Sequence, residues 1–140
     1  DVHSGFLRLY GQEHEKTITG ALNYAVSLHL LQRFKEAKAL LLKTIPVARR
    51  VFGANNFVTL MMNMNYAQDL YEDPAATLDD LREAVTTLEE TERTARRVLG
   101  GAHPTTMDIG GCLRESRAVL AAREGNVESL REAMGAMMGA

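Results

Sequence analysis

An all-α chain of stacked helical hairpins is predicted by three observations. The block Ala48-Arg49-Arg50-Val51-Phe52-Gly53 returns as Ala95-Arg96-Arg97-Val98-Leu99-Gly100, and a threonine, Thr59 or Thr106, follows each copy at the same distance. The composition suits helices, with abundant Ala, Leu, Met, Glu and Arg, three prolines and no tryptophan. Strand-favouring residues nowhere alternate over a useful length. Self-similarity at this period marks supersecondary units that cannot bury their apolar faces alone, so they stack into a solenoid with an extended surface. That is the architecture of a binding scaffold rather than of an enzyme.

The register is set by Gly11, Gly53 and Gly100, with Thr17 completing a fainter first copy. Asn23, Tyr24 and Ala25 return as Asn65, Tyr66 and Ala67, and Phe34-Lys35-Glu36-Ala37 returns as Leu81-Arg82-Glu83-Ala84. The second spacing is longer, which places an insertion of about five residues near 73–77, at the turn-forming Asp73-Pro74-Ala75-Ala76. The units are then 12–53, 54–100 and a divergent 101–140 that is a third repeat or a cap, with 1–11 the end of a preceding repeat or an N-terminal extension.

Each unit reads as two antiparallel helices. The first begins near His14, Asn56 and His103 and ends near Leu31, Tyr71 and Arg123; the second spans 34–51, 77–98 and 126–138. Gly53 and Gly100 are placed to form left-handed C-terminal caps. The arginine pairs before them put positive charge on the last turn, where the helix dipole favours it. Pro104 falls in a first turn, where the missing N–H costs little, and Asn55, Asn56 and Thr105 are capping candidates.

Leu99-Gly100-Gly101-Ala102-His103-Pro104-Thr105-Thr106, with Asn six and Ala eight residues after the threonine in the earlier units (Asn23 with Ala25, Asn65 with Ala67), resembles the tetratricopeptide repeats of kinesin light chains. Gly11-Gln12-Glu13-His14 and Gly53-Ala54-Asn55-Asn56 match that turn without the proline. The third unit departs at two positions, Cys112 for Asn and Arg114 for Ala. The resemblance implies a superhelix of about three repeats whose first helices line a concave groove, with Asn23 and Asn65 facing a bound peptide and Cys112 at the departed third position. Helical spacing extends these to the stripes Thr19, Asn23, Val26, Leu30; Met61, Asn65, Gln68, Glu72; and Asp108, Cys112, Glu115, Val119. Such a groove is apolar at one end and acidic at the other, which favours basic residues of the partner toward the acidic end.

The expected partner is a protein or peptide segment. The alternative is a structural subunit of a large assembly, meeting its neighbours by the convex face and apolar ends. A net charge of −2 opposes a nucleic-acid role, although the first half is mildly basic and the second acidic. No apolar run reaches a membrane-spanning length. Cys112 is the only cysteine, so no intrachain disulfide forms and a reducing compartment such as the cytoplasm fits. The start, Asp1-Val2-His3-Ser4-Gly5, is read as that of a processed chain or a fragment.

No metal site, cofactor or catalytic residue is expected. Glu13-His14-Glu15 are adjacent on a helix and point apart, and His14 and His103 occupy matching turn positions that suit packing or capping. His29 stands alone on an apolar stretch and reads as a structural residue. Cys112 lacks a neighbouring base and acid for nucleophilic work. Met61, Met62 and Met64 read as core, whereas the apolar, glycine-rich tail 133–140 is left to fray or dock on another chain.

Overall fold

The computed structural model describes the backbone of residues 2–139 and the side chains of residues 14–139. Five helices follow one another: α1 (Val2–Leu30), α2 (Phe34–Phe52), α3 (Phe57–Glu72), α4 (Leu78–Leu99) and α5 (Pro104–Gly139). Among the described residues there is no strand, and the chain is an all-α, tetratricopeptide-like helical-hairpin solenoid. Helices α1 with α2 and α3 with α4 form hairpins. The second helix of each packs on the first helix of the next unit, and α1, α3 and α5 touch in sequence.

The core lies along the hairpin seams. Small residues let helices approach closely: Ala25, Ala37, Ala48, Ala67, Ala84 and Ala95 are buried, interleaved with Leu41, Leu60, Met62, Leu81, Leu88 and Ile109. Met62 and Met64 belong to this core. Helix α4 shows why the seam forms where it does. Its buried positions Leu81, Ala84, Leu88, Thr91 and Ala95 recur at three- and four-residue steps, which is one face of a helix.

The repeated glycines end α2 and α4. Gly53 and Gly100 both have φ +92°, with ψ 158° and 154°. This is not the left-handed helical cap expected from sequence but a more extended region that essentially only glycine occupies. In each, the glycine N–H still reaches back to the carbonyl four residues earlier, Arg49 or Arg96. A Cβ at either glycine would meet no atom within 4 Å, so the requirement is one of backbone conformation and not of space.

Helix starts have local causes. The Asn56 side chain accepts from the Val58 N–H at 2.8 Å. His103 Nδ1 accepts from the Thr105 N–H at 3.1 Å, which makes His103, and not Thr105, the capping side chain. Thr77 and Asp80 form a capping box that starts α4 after the inserted loop. In that loop Asp73 Oδ1 accepts from the Ala75 N–H at 2.9 Å. The first hairpin instead turns in three residues, with Gln32 at φ +61°.

Two expected breaks are absent. Helix α1 runs unbroken past Gly11, and α5 runs unbroken past Gly125-Asn126. The chain therefore has no turn at Gly11 and no separate helix over 126–138. Glycine inside a helix costs only about 1 kcal/mol relative to alanine and, without proline or a cap, does not stop it. The side chains of Leu9, Tyr10 and Gly11 lie outside the described residues.

Candidate functional site

The faces of α1, α3 and α5 turned away from α2 and α4 make one surface. On α1, Thr19, Asn23 and Leu30 are exposed and Val26 is half-buried; Leu30 presents 76% of its surface. On α3, Met61 and Gln68 are half-buried and Glu72 is exposed, but Asn65 is buried. On α5, Asp108, Glu115 and Val119 are exposed and Cys112 is buried.

The repeated asparagines thus stand in different surroundings. Asn23 is open to solvent, while Asn65 is 6% exposed and donates from Nδ2 to the Met61 carbonyl at 2.9 Å. Cys112 accepts from Gln68 Nε2 at 3.2 Å, a contact joining α3 to α5. Burial pushes the Cys112 thiol above its ordinary pKa, so it stays protonated and poorly nucleophilic at neutral pH.

Two recesses divide the expected residues. One, of about 680 Å³, lies at the C-terminal ends of α1 and α3 beside the middle of α5 and gathers Leu30, Glu72, Glu115 and Val119 with His29, Phe34 and Tyr71. The other, of about 760 Å³, holds Thr19 and Asn23 with Phe52, Asn56 and Val58. Val26, Met61, Asn65, Gln68, Asp108 and Cys112 line neither of these two recesses.

The first recess carries most of the charge chemistry. His29 Nδ1 lies 2.8 Å from Asp69 Oδ1 and Nε2 lies 2.6 Å from Glu72 Oε2. The ring thus bridges two carboxylates, one on each nitrogen. Phe34 packs edge-on against the ring with centroids 5.4 Å apart. Asp69 is 2% exposed, and burial raises its pKa to about 6 against the opposing pull of His29. Its Oδ2 has no hydrogen-bond partner among the described residues. On the other side of α3 the Tyr71 hydroxyl donates to Glu115 Oε2 at 2.8 Å, and burial with that bond raises the tyrosine pKa.

Sequence reasoning missed His29, Phe34 and Tyr71 as lining residues and Asp69 as the histidine's partner. The available signal was Asp69 itself, a carboxylate set among the apolar residues Tyr66, Ala67 and Leu70. A charge on a buried helix face requires a partner.

Among the described residues no group of three or more His, Cys, Asp or Glu could hold a metal ion. No described helix is long and apolar enough to cross a membrane.

Two hairpins and a fifth helix, joined by glycine-threonine turns and stacked first helix to first helix, define a helical-repeat protein. Residues 17–57, from the first repeat threonine to the start of α3, match the tetratricopeptide repeat family. That match, over 41 of the 140 residues, supports a tetratricopeptide repeat protein of the kinesin light chain-like type. Comparison with curated proteins and with solved structures gives no match. Such repeats generally mediate protein–protein interactions and are generally non-catalytic.

Proposed function

We propose that this protein is a non-catalytic scaffold that binds a segment of another protein along α1, α3 and α5, with a basic side chain of the partner held at the C-terminal end of that surface. The observation that supports this reading is the recess in which Glu72 and Glu115 stand beside exposed Leu30, Ala118 and Val119. Apolar walls take the aliphatic part of a lysine or arginine, and the carboxylates meet its charge. Asn23 is the amide open to a peptide backbone. Asn65, already engaged with the Met61 carbonyl, serves to hold α3 in shape.

Selection of random 12-residue peptides on the 140-residue chain tests the proposal. Peptides carrying Lys or Arg next to an apolar residue should be enriched. Their binding should weaken about tenfold or more in Leu30→Asp and in Glu72→Gln/Glu115→Gln. Selected peptides that bind both variants as tightly as the parent would place the site elsewhere.

A second reading, a structural subunit that meets neighbours through apolar ends, is favoured by one observation away from the groove. Leu130, Met134, Met137 and Met138 of α5 are exposed together.

A further inference from the structure

Helix α5 carries one apolar seam along nearly its whole length. Thr106, Ile109, Leu113, Ser116, Leu120, Arg123, Val127, Leu130, Met134 and Met137 follow each other at steps of three and four residues. The first four are buried. Leu120 packs against the core, and Arg123 donates to the Ala76 carbonyl at 2.7 Å, just ahead of α4. Arg82, one turn into α4, lies 3.6 Å from Glu124, which puts the start of α4 at Leu78 opposite the stretch near residue 128. Residues 129–139 project beyond it, about 16 Å of helix at 1.5 Å per residue. Val127 is half-buried, and beyond it the seam is open, with Leu130 63%, Met134 59% and Met137 80% exposed and Met138, beside the seam, 84%.

We propose that this overhang is a homodimerisation helix, which pairs antiparallel with the same segment of a second copy. The inference names the neighbour left open in the structural-subunit reading and does not depend on the groove.

The spacing selects the occupant. Val127, Leu130, Met134 and Met137 are separated by 3, 4 and 3 residues. That interval pattern is unchanged on reversal, so a twofold axis maps the seam onto itself, with Val127 opposite Met137 of the second copy and Leu130 opposite Met134. Self-complementarity of one patch is what a closed, isologous dimer requires. Orientation follows from α4, which runs antiparallel to α5 and buries the same seam. The second copy's overhang continues the line of α4 in the same direction, and the two bodies lie at opposite ends, clear of each other.

Area and charge agree. Leu130, Met134 and Met137, with Met138 beside the seam, leave open on the order of 500 Å² per copy, at the upper end of what monomers show. Two such faces, covered in full, come to the roughly 1,000 Å² at which specific interfaces begin. Glu128, Arg131 and Glu132 all fall outside the seam, so pairing buries none of them at its centre. Their net negative charge also disfavours a lipid surface, which recruits helices with basic polar faces.

Sedimentation velocity of the full 140-residue chain should give a concentration-dependent dimer. Leu130→Glu/Met134→Glu should weaken it about 100-fold or more with unchanged melting of the body, and Glu128→Gln should leave it intact. For orientation, in a Cys112→Ser background, Ala133→Cys near the axis should crosslink between copies and Met137→Cys should not. A monomer throughout the micromolar range, a dimer that survives the double glutamate variant, or crosslinking through Met137→Cys in preference to Ala133→Cys would each overturn the proposal.

Discussion

The two copies of the repeat junction share a backbone and differ in what they hold. At both, a glycine at φ +92° ends a helix and a buried threonine follows six residues later. In the first, Thr59 Oγ1 donates to the Gly53 carbonyl at 2.8 Å and closes the turn. In the second, the Thr106 hydroxyl is equally buried but has no hydrogen-bond partner among the described residues. The contacts between units differ in the same way. Between first helices, α1 and α3 are joined by the charged cluster His29, Asp69 and Glu72, whereas α3 and α5 are joined by Gln68 with Cys112 and Tyr71 with Glu115. The ion pairs of the second junction lie instead between α4 and α5. A duplicated sequence thus fixes the course of the chain while its polar contacts diverge.

The largest test of this asymmetry is His29→Ala. It leaves the buried Asp69 carboxylate without its side-chain hydrogen-bond partner, a loss of about 3 kcal/mol at neutral pH. Gln68→Ala, at the other junction, should cost about 1 kcal/mol, since no charge is stranded. Denaturant melts of both variants measure the difference, and equal losses would erase the distinction. The histidine effect should also shrink with acid. Asp69 has a folded pKa of about 6 against an ordinary value of 3.8, so the folded state binds the extra proton between these values. Its contribution to stability therefore falls as pH rises from about 4 to about 6 and is level above. Asp69→Asn should remove that slope from the stability profile.

Next come the glycines, where the copies should behave alike. Gly53→Ala and Gly100→Ala each force a side chain into a backbone region that disfavours it, at about 1–3 kcal/mol. A clear inequality between the two would show that one turn relaxes. Thr59→Val and Thr106→Val should then separate the copies again. The first loses a closing hydrogen bond, at about 1–2 kcal/mol, and the second replaces an unsatisfied hydroxyl by a methyl, at no loss or a slight gain. Thermal melts of the two valine variants settle the order.

The features that read true from sequence are those tied to backbone geometry. The glycine-threonine spacing, the hairpins and the loop at Asp73-Pro74 depend on local chemistry, which the chain states wherever it occurs. The misplaced features are those where one glycine was asked to end a helix alone. Gly11 holds the register of Gly53 and Gly100 in sequence but does not break its helix, and the expected break between Arg123 and Asn126 is likewise absent, since a single glycine weakens a helix without supplying anything to turn onto. Of the proposed binding surface, the exposure of Asn23, suggested by the resemblance, and of Glu72 and Glu115, suggested by helical spacing, agrees with the sequence reading. The burial of Asn65 and the pairing of His29 with Asp69 were not legible there, since they depend on how far α1 and α3 are offset, which no local pattern encodes.

The smallest effect concerns the hairpin loops, where the copies also part. The second hairpin turns over Asp73 to Thr77 with an Asx bond and a capping box, and no non-glycine residue there has a positive φ. The first turns in three residues and holds Gln32 at φ +61°, a region that glycine occupies without steric cost. Gln32→Gly exchanges that cost for the added freedom of glycine in the unfolded chain, and the steric term is the larger of the two. The variant should gain about 0.5–1 kcal/mol, read as a small rise in melting temperature. Inserting the five residues Asp73 to Thr77 in place of the first loop is the sharper form of the same test. If Gln32 alone makes the first hairpin the costlier turn, the gain from the longer loop should not exceed that of the single glycine by more than the roughly 0.6 kcal/mol that loop length itself changes.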